Sequence, residues 1–491
     1  MNVRIEVDSR LVIDVRTLDA EVVKALQQSC THTNPMHAKL RSMGYSAHNE
    51  PRTIKTWRGG PGRLMLPRGV LSKVRALLAE HGIEPDLHDC RTDPDPIKMP
   101  RHRVKLYDYQ QEAVESALAV ENCLIRAPTG SGKTTIAMSL LGRVRVPTLV
   151  IVWNSTLLQQ WQERAVKEFG IKLSEIGIVQ AGKVRLRPVT IGMQQSLFRL
   201  NDADHRAVSS YFGAVIFDEV HRAAAKTFTE VIDRLPARYR FGMSADEQRK
   251  DRKEFLIYDM FGRVAYEVER SVLEARNFVL DVALHVHPTG AALEWYRDDE
   301  VSYDRLIAAL EGDDDRTALA AQIAADEVRA GHQTIVFSQR REHCARLAAA
   351  LVGQGLQPGM MLGGPESQAE LQRTLTGLKS GQLRVAVGTI QAVGTGIDLP
   401  AISRGVLATP ISSNRQLLGQ VRGRLCRTAP GKKDAILHYL YDERAFGQSA
   451  LRNLDRWNQT CLVKDGPNLI SVSDYLDVTS VPTFQQLTQG E

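Results

Sequence analysis

One stretch, CLIRAPTGSGKTTIAMSLL (Cys123 to Leu141), limits the fold of this chain more than any other. An apolar run ends in a loop carrying Gly130 and Gly132, and a helical pattern begins at once. Glycine lets the backbone wrap closely around an oxyanion without a Cβ clash, while loop and helix N–H groups point inward. The positive end of the helix dipole adds to the attraction. The spacing is that of the G-x-x-x-x-G-K-[ST] phosphate cradle, with Ala127 in the first position. Its nucleotide-binding set is Thr129, Gly130, Ser131, Gly132, Lys133 and Thr134. Lys133 is placed to reach the terminal phosphates and the Thr134 hydroxyl to ligate Mg²⁺. Such a cradle belongs at the edge of a parallel sheet with helical crossovers, and the runs TLVIVW, VTIGM and GAVIFDE continue that rhythm.

At 491 residues the chain is too long for one core. A second region of the same alternating type runs through QTIVFSQ, LRVAVGTIQ and RGVLATP to AILHYLYD, so two α/β domains of one kind are expected. Before them, residues 1–100 show strand-like alternation near Val3 to Val15, a helix around Asp19 to Gln28, and a helical pattern that stops at Gly82. RTDPDPIKMP, with three prolines in ten residues, reads as a linker. The expected division is 1–100 accessory, 101–270 first α/β domain, 271–445 second α/β domain, and 446–491 a C-terminal extension. EGDDDR reads as a loop or solvated helix end.

The formal charge of +6 permits a nucleic-acid partner without demanding one. No apolar run approaches the roughly 20 residues of a membrane span. The six scattered cysteines form no Cys-x-x-Cys pair, which favours a reduced compartment. Cys30, His32 and His37 lack a fourth metal ligand at sensible spacing.

IFDEVHRA, beginning at Ile216, places two carboxylates at the end of an apolar run. A nucleotide cradle needs a carboxylate on a neighbouring strand for Mg²⁺, and Asp218 has that position. Glu219 can orient or deprotonate an attacking water. His221 follows as a hydrogen-bonding reporter of nucleotide state.

APTGSGKT together with DEVH resembles the superfamily 2 helicases, the DEAD/DEAH-box-like group, and the DEVH spelling is similar to its XPB-type and phage UvsW-type DNA helicases. The resemblance covers roughly residues 104 to 445. It implies two tandem RecA-like parallel-sheet domains behind a small N-terminal α+β accessory domain, ATP and Mg²⁺ as cofactors, and a cytoplasmic, bacterial or phage-encoded protein. In LYDYQQEAV it implies that Gln110 reads the adenine edge. LVIVWNSTLLQQW resembles motif Ia, with Trp153-Asn154 replacing the usual proline, and VTIGMQQSL supplies Gln194 to nucleic acid. FGMSADEQRKD keeps Ser244 as a coupling residue but carries Asp246 in place of threonine; Arg249 and Asp251 hold the later spacing.

QVRGRLCR fits Q-x-x-G-R-x-x-R, with Gln420, Arg424 and Arg427 as catalytic candidates. Arg424 and Arg427 are expected on one helical face, where guanidinium groups can neutralise charge on a γ-phosphoryl group. Taken alone, an arginine-rich helix reads as a solvated face; VAVGTIQAVGTGIDLP just upstream resembles motif V and shifts the balance. It implies Thr389 against nucleic-acid phosphate, Gly396 near the γ-phosphate and Asp398 near the ribose. TIVFSQRREHCARLAAAL resembles motif IV and puts Arg341 at the nucleic acid.

Arg52, Lys55, Arg58, Arg63, Arg68, Lys73 and Arg75 crowd around Trp57. They fit phosphate contacts with Trp57 stacked on a base, and equally a solvated surface with Trp57 in the core. The leading reading is an ATP-dependent helicase or translocase on single-stranded, duplex or branched DNA. The alternatives are an RNA helicase, and a nucleotide-gated DNA-clamping subunit of a larger assembly.

Overall fold

The computed structural model describes residues 2–446 except 100, 129, 223–224, 246–251, 270–271, 274–278, 292–302, 394–398, 400 and 411–420. Thr129, Asp246, Arg249, Asp251, Gly396, Asp398 and Gln420 therefore lie outside the described residues. The chain forms two compact units that divide between residues 270 and 271.

Among its described residues the first unit holds two large sheets and a two-stranded one, Thr31–Thr33 paired with Thr53–Lys55. The N-terminal one has five strands in the order Arg58–Gly60, Arg63–Pro67, Arg10–Asp14, Asn2–Val7, Glu84–Asp89. Its inner residues (Val3, Ile5, Leu11, Ile13, Leu64 and Leu66) pack against helices Ala20–Ser29 and Leu71–Glu80 through Val22, Leu26, Val74 and Leu78. The alternation of apolar and polar residues is that of a sheet covered on one face.

The larger sheet has eight strands: Lys183–Arg185, Ile176–Gln180, Val189–Met193, Thr148–Val152, Ala214–Phe217, Tyr239–Ser244, Asn122–Arg126, Val264–Glu267. All pairings are parallel except the hairpin of its first two strands. TLVIV and AVIF are buried along their whole length, as expected of strands covered by helices on both faces. From Asn122–Arg126 the chain crosses to Thr148–Val152, leaving the two positions between to Ala214–Phe217 and Tyr239–Ser244. A gap of this kind opens a crevice at the carboxyl ends of the strands. Lys133, Asp218 and Ser244 all sit at those ends.

RTDPDPIKMP does not behave as a free linker. The Thr92 N–H donates to Pro236 O at 2.9 Å, and Arg238 N–H donates back to Thr92 O at 3.0 Å. Arg91 and Arg238 both bind Glu121, and Arg238 also binds Asp93. Proline removed donors from this segment, but the remaining backbone groups pair with the large sheet's periphery.

The basic stretch around Trp57 is likewise engaged within the first unit. Arg68 is buried, donating to Asn122 Oδ1 at 3.0 Å and Ala237 O at 2.7 Å. Arg58 binds Asp233 at 2.8 Å alongside buried Arg10 at 2.6 Å. These side chains fasten the N-terminal sheet to the large one.

The second unit carries a six-stranded, wholly parallel sheet in the order Val282–Pro288, Ala435–Tyr441, Arg404–Leu407, Thr334–Ser338, Val385–Thr389, Gly359–Met361. EGDDDR is the junction of helices Tyr303–Gly312 and Asp314–Arg329, with Asp313 accepting Arg316 N–H as N-cap. Arg316 and Asp442 form a buried pair (2.8 and 3.0 Å), each side chain 1% exposed. Asp442→Ala is expected to cost about 3–5 kcal/mol by stranding a buried guanidinium. Urea unfolding with a second-unit probe measures this; a loss under about 1 kcal/mol would show that water reaches the site.

Candidate functional site

The loop after Asn122–Arg126 obeys the chemistry expected of it. Gly130 and Gly132 have φ of 94° and 78°, and Gly132 is the left-handed N-cap of helix Lys133–Val144. Lys133 Nζ folds back to donate to Ala127 O at 3.1 Å and stands 3.8 Å from Glu219. Ser131 Oγ donates to Pro128 O at 2.7 Å. Thr134 occupies the second helical position, half-buried. The helix is anchored from behind by buried Ile136, Met138, Leu140 and Leu141, so the cradle rests on a rigid element.

Gln110 is the third residue of helix Asp108–Val120, buried, with both ends of its amide in use. Its Oε1 accepts Tyr107 N–H at 3.1 Å, and its Nε2 donates to Ser131 O at 3.1 Å. Tyr109 OH donates to the same carbonyl at 2.8 Å. Gln110 thus braces the cradle from the side. A Cβ on Gly132 would lie 2.5 Å from Gln110 Nε2, at a φ that L-residues resist. Gly132→Ala is therefore expected to weaken nucleotide binding at least about tenfold, with a stability loss of only about 1–2 kcal/mol. Titration with a fluorescent ATP analogue checks this; unchanged affinity would refute the close fit.

Asp218 and Glu219 close the other side. Asp218 is buried, and its Oδ2 accepts the indole N–H of Trp161 at 2.9 Å. Burial, and then the neighbouring Glu219 carboxylate, push its carboxyl up to about 6, while Trp161 and Lys133 pull the other way. Glu219 has φ 51°, a costly conformation for a side chain of this size. His221 is buried, with Nδ1 2.9 Å from Ser244 Oγ and 3.4 Å from Glu219 Oε2. The histidine therefore links the end of one strand to the end of the next, bringing the two residues expected to couple into contact.

Trp161 was not expected at the site. It lies on the apolar face of helix Ser155–Phe169 with Leu157, Leu158 and Ala165, a pattern that reads as core. Asn154 caps that helix, accepting Leu157 N–H at 2.8 Å, which accounts for the residue found where motif Ia usually has proline.

The candidate nucleic-acid residues are placed differently. Gln194 is turned inward, donating to Thr227 Oγ1 at 2.8 Å. Thr389 is buried and its Oγ1 accepts Ala392 N–H at 3.3 Å. Arg341 is half-exposed, donating to Gly363 O and Ser367 Oγ and pairing with Glu366 at 3.0 Å. Trp57 packs against the N-terminal core, its indole N–H donating to Thr31 Oγ1 at 3.0 Å.

One expectation is overturned in the second unit. Arg424 is helical, but Arg427 is not: the helix ends at Leu425, and Arg427 forms an antiparallel bridge with Val279. Lys432 Nζ donates to Leu425 O, Arg427 O and Ile402 O at 2.6–2.7 Å. An ammonium collecting the carbonyls of the last turn stops the helix short of Arg427.

Residues 103–249 match the family described as type III restriction enzyme, res subunit, and residues 316–429 match the helicase conserved C-terminal domain. The chain belongs to the superfamily 2 helicases. Members hydrolyse ATP. Probable helicase D10 of Escherichia phage T5 is 27% identical to this helicase over 361 residues, covering 74% of this chain and 76% of D10. The DNA 3′-5′ helicase XPB of Kineococcus radiotolerans is 25% identical over 335 residues, 66% of this chain and 57% of XPB. The helicase thus spans only a little over half of that relative's length. A solved fragment described as an HsdR subunit of a type I restriction enzyme from Vibrio vulnificus aligns with TM-score 0.55 at 19% identity, over 74% of this chain and 69% of the fragment. That match bears on fold alone. Among the described residues, no helix is long and apolar enough to cross a membrane.

Proposed function

We propose that this helicase is a DNA motor that converts ATP hydrolysis into movement along, or remodelling of, duplex or branched DNA. The observation that carries the reading is the convergence of Lys133, Glu219, His221 and Ser244 through contacts of 2.9–3.8 Å at the carboxyl ends of three sheet strands. DNA as the track rests on the names of the XPB relatives.

MgATP suits these residues. Gly130 and Gly132 hold the loop at positive φ without a side chain, and Asp218 and Glu219 hold two mutually repelling carboxylates that a cation would relieve. In this reading Thr134 and Asp218 would hold Mg²⁺, which would supply positive charge to the nucleotide's phosphates. Lys133 exchanges its Ala127 carbonyl for phosphate oxygens. Glu219 takes the proton of the attacking water. His221 passes a change at Glu219 to Ser244. Arg424 and Arg427 supply transition-state charge stabilisation. Movement in the 3′ to 5′ direction follows the sense in the XPB relatives' names.

ATPase rates with single-stranded DNA, duplex DNA and RNA, alongside strand displacement, test the proposal. Stimulation by DNA above RNA, with displacement or translocation, is expected. Preference for RNA would replace the track, and DNA binding gated by ATP without turnover would make the protein a clamp.

A further inference from the structure

Between strands Thr31–Thr33 and Thr53–Lys55 the chain leaves the N-terminal sheet and returns. The excursion contains helix Pro35–Ser42, which has no fully buried residue. A helix that buries nothing gains little from tertiary packing. It nevertheless presents large apolar side chains to solvent: Met36 is 41% exposed, Met43 55% and Tyr45 61%. The excursion also carries Lys39 and Arg41 on the helix and Arg52 and Lys55 at its return, none of which takes part in an ion pair among the described residues. The acid of the excursion, Glu50, already accepts Asn34 Nδ2 at 2.9 Å.

The base of this excursion is fixed to the motor sheet's own helix. The His32 ring stacks on Phe255 with centroids 4.1 Å apart and planes 14° apart, and its Nε2 lies 2.8 Å from Asp259. Thr56 Oγ1 donates to the same carboxylate. Asn34 caps the exposed helix, accepting Met36 N–H at 3.1 Å. Phe255 and Asp259 belong to helix Phe255–Phe261, which begins shortly after the coupling motif at Ser244. The excursion thus combines exposed apolar side chains with a root fixed to the helix that follows Ser244 in the chain.

We propose that residues 34–52 form a finger that seats Tyr45 and Met43 on the exposed terminal base pair of a single-strand–duplex junction, with Lys39 and Arg41 on the flanking phosphates. This rests on the reading of the protein as a DNA motor. The chemistry favours a junction over continuous duplex. In continuous duplex every base face is covered by stacking and only backbone and groove edges meet a protein, whereas a junction offers one uncovered face beside two diverging phosphate chains. Unpaired cations beside aromatic and thioether side chains match that target. Trp57, the aromatic residue that sequence favours, is already covered: it packs on the core, and Lys55 Nζ lies 5.0 Å from its ring centre.

The test is fluorescence anisotropy with the full chain, without nucleotide, on a forked DNA and a blunt duplex of equal length. The variants are Met43→Ser/Tyr45→Ser and Lys39→Glu/Arg41→Glu, with thermal unfolding as a fold control. Wild type is expected to bind the fork at least about tenfold more tightly than the blunt duplex. The first variant should lose that preference with duplex affinity unchanged. The second should flatten the salt dependence of fork binding, by about two in the log–log slope. Equal wild-type affinities for the two DNAs, or a preference that survives Met43→Ser/Tyr45→Ser, overturns the finger. So does a wild-type dimer that this variant splits while fork affinity stays intact, which would give the surface to a second copy. ATPase that no DNA stimulates in wild type would instead defeat the motor reading, and the fork measurement is independent of it.

Discussion

Lys133→Ala is expected to lower DNA-stimulated ATP turnover by at least about 100-fold while leaving nucleotide-free DNA affinity within about twofold. The ammonium is held at the mouth of the cradle by Ala127 O, a partner it can release, and it faces Glu219 at 3.8 Å. The side chain is only 10% exposed, so thermal unfolding serves as the fold control for the variant. Nucleotide would lose a fixed cation in a site where Asp218 is already disfavoured as an anion by burial and by Glu219. Single-turnover hydrolysis and anisotropy on one DNA measure the two quantities together. Equal loss of both would mean that the loop holds the fold or the DNA instead of the nucleotide.

How far such a site can be read from sequence depends on the distance over which each constraint acts. The cradle was legible because its demands are local: positive φ at Gly130 and Gly132, a strand before and a helix after. The Asp218-Glu219 pair was legible because acids at the end of a fully buried strand have few other uses. Trp161 was not, because its partner lies 57 residues away and its own helix offers an ordinary apolar face. The basic stretch around Trp57 stayed open between two readings for a related reason. Sequence shows a run of cations but not what faces them, and Arg58 and Arg68 find Asp233, Asn122 and Ala237 on a helix end, a strand and a loop far along the chain. Gln110 is an intermediate case. The motif located it correctly beside the nucleotide loop, while its amide bonds to Tyr107 and Ser131 are visible only in the fold. The parallel sheets were legible from rhythm alone, but the pinning of residues 91–97 was not, since prolines announce an irregular backbone and do not reveal its partners.

Arg427→Ala is expected to reduce turnover by about 10³-fold or more while changing ATP affinity only a few-fold, because a guanidinium that meets developing charge contributes mainly in the transition state. Its placement makes this separable from Arg424. Arg424 is carried by a helix, whereas Arg427 is carried by an extended bridge to Val279, and Leu280 N–H donates to the adjacent Cys426 O at 2.6 Å. The two arginines thus sit on backbones that are held by different bonds, and Lys432 ties those backbones together through the carbonyls of Leu425 and Arg427. If both act on the same phosphoryl group, the double variant should lose much less than the product of the single losses. Arg427→Lys should recover little, since an ammonium cannot reproduce a planar fork of donors. Lys432→Met, which removes the donor shared by the Leu425 and Arg427 carbonyls, should lower turnover moderately by loosening that ordered turn. Pre-steady-state measurement of kcat and ATP Kd for these variants decides the matter. A rise in Kd with kcat intact would make Arg427 a binding residue, and wild-type kinetics would remove it from the site.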